Sequence, residues 1–434
     1  MQDAVQIPAA IAGRRVWLRV GAMIDGSSSV GSGAAPLRDA HVVYSQAGIL
    51  YAGAGTPPAE LVKNGQTTTT PDAELPDYTL LPGLIDAHTH MFLEGGELDL
   101  DKRAAFLKQS PEELLVLAKR RLEKIVRIGV TAMRDCGDKD GVGLALSRLC
   151  SSPDRPLMPY IDSPGAAIHH RGRYGSFMAE PIEDFPTAAE CVAARVKAGA
   201  DRIKMIPTGI INFKQGAVTT APQMTTEEIS AIVAAAKSHN RQTIAHGSGD
   251  DGLERAIEGG VDSIEHGFFL RDDQLTKMRD RQIAWVPTFS PVQKQVDHAD
   301  RMGWDAHVVA NLRKILDRHA ATLVKAHDLG VQVVAGSDAG SCGVAHGLGF
   351  LEELELMEQA GLSPAAIVHS ATGASAKRLA FKEKFGEIKP GYLSRFILTR
   401  HSPLETVANL RKEKIVVFDD QVFATGESPG VSGL

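Results

Sequence analysis

Pro82-Gly83-Leu84-Ile85-Asp86-Ala87-His88-Thr89-His90 reads as an apolar strand that ends in two histidines one residue apart. Side chains alternate along a strand, so His88 and His90 face one side while Thr89 faces the other, and two imidazoles on one side can clamp a cation. The surroundings give this pair its weight. From Thr79 onward short apolar strands alternate with amphipathic helices, the mark of repeated βα units. The strands expected are Leu80 to Asp86, Val130 to Asp135, Met158 to Asp162, Arg202 to Pro207, Gln242 to His246, Asp262 to His266, Ile283 to Thr288 and Val331 to Asp338. Eight strands with their helices predict an α/β fold, a (β/α)8 TIM barrel, whose active site would lie at the C-terminal ends of the strands. Helix starts are marked by Ser110-Pro111-Glu112-Glu113 and Thr225-Thr226-Glu227-Glu228, each with a capping hydroxyl and a glutamate three residues on.

Outward from the barrel the pattern changes. The first eighty or so residues read as short strands, Val16 to Val20 and Ile49 to Gly53 among them, broken by a Gly/Ser-rich turn from Gly26 to Gly33. After about residue 384 turns and strands return, with Gly386-Glu387-Ile388-Lys389-Pro390-Gly391 and then Lys414 to Phe418. The expected division is 1–78 and 384–434 as the two parts of one small β-sandwich domain, and 79–383 as the catalytic barrel.

Composition narrows the functional classes. The 434 residues are 43% hydrophobic and 23% charged, ample for a large core, and the net charge of −6 offers no broad basic field for nucleic acid or an anionic membrane. No apolar run approaches a membrane span, and Met1-Gln2-Asp3-Ala4 lacks the basic-then-apolar order of a signal peptide, so a cytoplasmic protein is expected. The four cysteines are scattered, whereas there are 15 histidines, which points any metal site toward imidazole and carboxylate ligands.

The remaining candidates fall at the same end of other strands. Lys204 interrupts Ile203-Lys204-Met205-Ile206; His246 and His266 each close a strand; Asp338 closes Val333 to Asp338. Singly, each has a bland reading as a paired lysine, a satisfied core histidine or a helix cap. Together those readings require five coincidences of position.

This set resembles the amidohydrolase superfamily across nearly the whole chain, including the closing Gly386 to Gly391. The stretches from Ile203, through Val261-Asp262-Ser263-Ile264-Glu265-His266-Gly267, to Val286-Pro287-Thr288 are most similar to its binuclear branch, which holds imidazolonepropionase-like proteins and Xaa-Pro or Xaa-Arg dipeptidases. The resemblance implies two divalent ions, zinc first and Mn, Fe or Co as alternatives. His88 and His90 would bind the buried ion, His246 and His266 the more exposed one, Lys204 would bridge both, and Asp338 would be ligand and proton shuttle. The residue types suit that chemistry. A buried lysine can add carbon dioxide and become a carbamate, turning a cation into a bridging anion. A metal-bridged hydroxide then needs no Ser or Cys nucleophile, and Asp338 can return the proton to the leaving nitrogen.

The resemblance implies cleavage of an amide, urea, carbamate or peptide bond in a small molecule, by an enzyme expected to be a homo-oligomer. Dipeptidase relatives commonly carry Ala-Tyr after the third metal histidine, where this chain has Gly247-Ser248, so neutral substrates are expected. The closing motif is followed by Gly391-Tyr392-Leu393-Ser394-Arg395-Phe396 rather than the usual Gly-x-x-Ala-Asp-Leu. For substrate contacts the sequence offers His169, His170, Arg171, Arg173 and Tyr174 after strand three, together with Phe268, Phe269 and the more core-like Phe289. Arg171 or Arg173 gripping a free carboxylate is the competing reading, giving a dipeptidase or N-acyl amino acid hydrolase. A mononuclear ring deaminase would lack Lys204, and a catalytically dead scaffold would have lost metal ligands. Gly247-Ser248-Gly249-Asp250-Asp251-Gly252 imitates a dinucleotide loop with Glu265 as ribose acid, but its aspartates would oppose a pyrophosphate.

Overall fold

The computed structural model describes residues 7–11, 13–62, 70–138, 140–379, 381 and 383–426; the opening Met1 to Ala4 lies outside them. The fold is mixed α/β. Its strands are β1 Val16–Met23, β2 Leu37–Ser45, β3 Gly48–Ala54, β4 Ala73–Pro82, β5 Leu84–Thr89, β6 Val130–Asp135, β7 Tyr160–Asp162, β8 Ile203–Met205, β9 Thr243–Ser248, β10 Ser263–Phe268, β11 Ala284–Val286, β12 Arg395–Thr399, β13 Lys414–Phe418 and β14 Gln421–Thr425. No described helix is long and apolar enough to cross a membrane.

Two compact units are present. The first takes the described residues up to 85, 124–132 and those from 363 on; the second takes 86–123 and 133–362. In the first unit both chain ends share one sheet, ordered β14-β13-β12-β4-β1-β2-β3. All its pairings are antiparallel except β1 with β4. Period-two alternation puts Leu18, Val20, Val42, Tyr44, Phe396 and Val417 into one core, with Tyr44 edge-on to Phe396 at 5.1 Å. Where a small sandwich was expected, the described residues form this single seven-stranded sheet.

The βα strands fall in two further sheets, β5-β6-β7 and the parallel β11-β10-β9-β8. The capping box expected at Thr225 is formed with Glu228 and opens the helix Thr226–Ser238. The eighth expected strand, Val331 to Asp338, is not a strand. It makes isolated parallel bridges, Trp285 to Val333 on one side and Thr89 to Ala339 on the other. At its end the Ser337 N–H is taken by the Asp86 carboxylate at 2.9 Å, and Asp338 turns to φ +55, so regular pairing cannot continue there. The segment still donates from Val334 N to the Trp285 carbonyl and from Asp338 N to the His88 carbonyl, at 2.9 and 2.7 Å.

Candidate metal centre

The second unit gathers His88, His90, Lys204, His246, His266 and Asp338, all of them buried. His88 Nε2 and His90 Nε2 each lie 3.6 Å from Asp338 Oδ1. The His88 and His266 rings are 5.0 Å apart and those of His246 and His266 4.6 Å. Ligand atoms of His88, His266 and Asp338 all fall within 4.8 Å of one another.

Each ring is held from its back edge. His88 Nδ1 lies 2.5 Å from the Glu265 carboxylate, His90 Nδ1 donates to the Gly137 carbonyl at 3.0 Å, and His266 Nδ1 lies 2.7 Å from Thr288 Oγ1. The Thr288 hydroxyl donates to the Pro287 carbonyl, so it can only accept from His266. His246 is tied to the Gly209 backbone. With the Nδ1 proton committed, Nε2 keeps its lone pair, the arrangement that ligating histidines adopt. Among the described residues His88 Nε2 and His246 Nε2 are buried without a hydrogen-bond partner, which fits a cation as the missing neighbour. Burial holds all four imidazoles neutral, reinforced in each by the Lys204 charge: His90 falls to about 4 and His246 to about 3. Burial also pushes the Asp338 carboxyl up to about 7, in the range where a group can both accept and return a proton.

A cavity of about 210 Å³ opens on this cluster. Its polar lining is mostly the cluster itself; the walls are apolar, among them Tyr174, Phe177, Ile206, Ile211, Phe213 and Phe268. Tyr174 lies 5.1 Å from the His246 ring, and Phe268 is stacked on buried His319 at 4.0 Å. The other expected substrate contacts are absent from this lining. Both ring nitrogens of His169 face backbone carbonyls, of His170 and Ala179; His170 lies between Glu183 and Glu228; Arg171 pairs with Asp184. Phe269 turns under the Arg318 guanidinium and Phe289 packs on His319. Arg173 lines a second cavity of about 390 Å³, which shares Tyr174, Ile210 and Ile211 with the first. Among the described residues no carboxylate pairs with Arg173, which donates to the Ala221 carbonyl at 2.5 Å.

Several residues that build the site were not singled out from sequence. Asp86 accepts from Ser337 N and Oγ, at 2.9 and 2.6 Å, and so fixes the approach to Asp338. Trp285 Nε1 donates to the His266 carbonyl at 2.9 Å. Glu265, read as a possible ribose acid, is fully buried against His88, Arg134 and Ser263, so it has no ribose to meet and the dinucleotide reading falls.

Neutral imidazoles, a buried lysine and a carboxylate around one apolar cavity are the apparatus of a hydrolytic metal site. The chain belongs to the Amidohydrolase family, whose pattern matches residues 79–422, and is an enzyme acting on carbon–nitrogen bonds. It is similar to a Xaa-Pro dipeptidase solved with methionine in its active site, at 27% identity and a TM-score of 0.76 over 95% of this chain and 100% of that one. Ochratoxinase of Aspergillus niger is 24% identical over 409 residues, 88% of this chain and 81% of that protein. An uncharacterized protein of Mycobacterium bovis is 28% identical over 298 residues, 68% of this chain and 72% of it.

Proposed function

We propose that this chain is a cytoplasmic, metal-dependent hydrolase of small amides, ureas, carbamates or peptides with an apolar group beside the scissile bond. Its βα strands are read as a (β/α)8 barrel. The observation that carries the reading is the set of the site histidines: Nδ1 of His88, His90 and His266 is engaged from behind, and among the described residues Nε2 of His88 and His246 is buried with no hydrogen-bond partner. His88 and His90 would hold one divalent ion and His246 and His266 a second, with Lys204 between them as a carbamate and Asp338 beside them. Ions held there supply Lewis-acid polarisation of the substrate carbonyl and a lowered pKa for water.

The side chains do the rest. Asp338 accepts a proton from the attacking water, whose oxygen bonds to the carbonyl carbon; as the carbon–nitrogen bond breaks, the same carboxyl delivers that proton to the departing nitrogen. The apolar walls exclude competing water and favour an aryl or alkyl group. Relatives named Xaa-Pro dipeptidase and ochratoxinase support hydrolysis as the reaction class. Arg173, a cation that among the described residues has no carboxylate partner, stands at the neighbouring cavity and favours a second reading in which the substrate carries a free acid.

Metal analysis tests the main reading: about two divalent ions per chain, lost together with activity in Lys204→Ala and partly regained with a short-chain carboxylate. One ion or fewer at full activity, or normal metal content in Lys204→Arg, would refute it.

A further inference from the structure

Behind the centre lies a buried charge network that the reaction itself does not use. Arg134 stands on β6 and Glu265 on β10, strands of different sheets, and both side chains are 1% exposed or less. Arg134 Nη2 donates to Glu265 Oε2 at 2.7 Å, and the same oxygen lies 2.5 Å from His88 Nδ1. The other carboxylate oxygen accepts from Ser263 Oγ at 2.7 Å, as two residues apart on one strand face allow. Arg134 also donates through Nε to the Ala87 carbonyl, the residue before His88, at 2.5 Å. One carboxylate therefore ties the sheet that carries His246 and His266 to the backbone and ring of His88.

We propose that Glu265 is a positioning residue of the metal centre: it sets the tautomer and orientation of His88, with Arg134 holding the carboxylate in place. The inference rests on the metal reading above and deepens it. A carboxylate can only accept, so the proton sits on His88 Nδ1 and the lone pair on Nε2, the atom that lies 3.6 Å from Asp338 and has no hydrogen-bond partner among the described residues. Turning the ring over would put Cδ2 in place of the Nδ1 donor and lose this hydrogen bond, and moving the proton to Nε2 would set a bare nitrogen against a buried anion. Outer partners of this kind typically change metal affinity by about 10- to 100-fold.

The test titrates chelator-treated protein with cobalt(II), followed by visible absorption and by competition with a zinc chelator. In Glu265→Gln the affinity should fall by about 10- to 100-fold and the cobalt band should shift. Glu265→Asp keeps the charge beside Arg134, so it protects folding, yet draws the carboxylate back from His88 and should lose affinity in the same direction. The pair Glu265→Gln with Arg134→Met removes both charges. It should recover thermal stability relative to Glu265→Gln while metal affinity stays low. Recovery of affinity along with stability would make Glu265 merely the counter-ion of Arg134 and overturn the proposal, as would a wild-type affinity and spectrum in Glu265→Gln. Wild-type protein that takes up no cobalt would instead overturn the metal reading, and this inference with it.

Discussion

Gly336 packs closely behind His88, and one methyl group there tests whether that packing sets the site. A Cβ at Gly336 would lie 2.8 Å from both the backbone nitrogen and Cβ of His88, and 2.6 Å from Val286 Cγ1. Carbon contacts are comfortable at about 3.5–4.0 Å, so His88 must retreat by roughly 0.7 Å or the 331–339 segment must do so. Neither side is soft. Ala87 N donates to the Ala335 carbonyl at 3.0 Å and Asp338 N to the His88 carbonyl at 2.7 Å, and the wedge opens both. A ligand constellation tolerates about 0.5 Å. Gly336→Ala should therefore fold with about 1–3 kcal/mol less stability. Its metal affinity should fall at least about tenfold and its kcat/KM by about 100-fold. Gly96→Ala, where the nearest atom lies at 3.8 Å, is the matched control and should behave as wild type. The measurements are denaturant midpoints, metal titration and steady-state kinetics on both variants. If Gly336→Ala lost stability yet kept wild-type metal affinity and turnover, Val286 would have absorbed the methyl group, and the claim that this contact positions His88 would be wrong.

Burial lowers His319 to about 4 while its Nε2 faces the Pro287 carbonyl. Because the folded value lies below the ordinary 6.5, the unfolded chain takes up the proton first, and stability is lost as pH falls from about 6.5 toward 4. Between pH 7 and 5 wild type should lose about 2 kcal/mol more than His319→Gln, read from denaturation curves at each pH; parallel curves would place the acid sensitivity elsewhere. The free-acid reading predicts that substrates bearing a carboxylate outrun their neutral amides or esters in kcat/KM and that Arg173→Ala abolishes the preference; indifference to charge in wild type would leave the neutral-substrate reading standing. Arg171→Ala should leave the ratio unchanged, because that guanidinium is already paired with Asp184.

What the sequence made legible were residues whose partners are near them along a strand. His88 and His90 announce themselves by spacing, Lys204 by interrupting an apolar run, and His246 and Asp338 by their place at the end of one; these are the groups that meet. The loop after strand three was another matter. The conformations of His170 and Arg171 are set by Glu183, Asp184 and Glu228, acidic groups from outside the quoted motif, and a polar side chain with such a partner turns away from a cavity lined by isoleucine and phenylalanine. Ile211 and Phe213, which do line it, follow β8 in a stretch with no period to read. Glu265 was in view but its role was not, since Arg134 stands 131 residues earlier and His88 177.

Strand alternation, the rule that opened the reading, also shows where such reading must stop. Ser263 and Glu265 share one face of β10, so a regular strand would aim His266 at the other. The chain instead turns His266 to φ +68 and Gly267 to +66, and the His266 ring arrives 5.0 Å from His88. A non-glycine residue in the left-handed region carries strain of order 1–3 kcal/mol and persists only where its surroundings over-determine it. Here they do: Trp285 grips the His266 carbonyl, Thr288 grips its ring, and a Cβ at Gly267 would sit 2.3 Å from Trp285 Nε1. Thr288 itself lies at φ +51 and Asp338 at +55, so three of the residues that build the centre share the same backbone move. That move lets neighbours in sequence serve different tasks at one place, with Glu265 behind the site and His266 facing into it, and a pattern of period two has no way to express it.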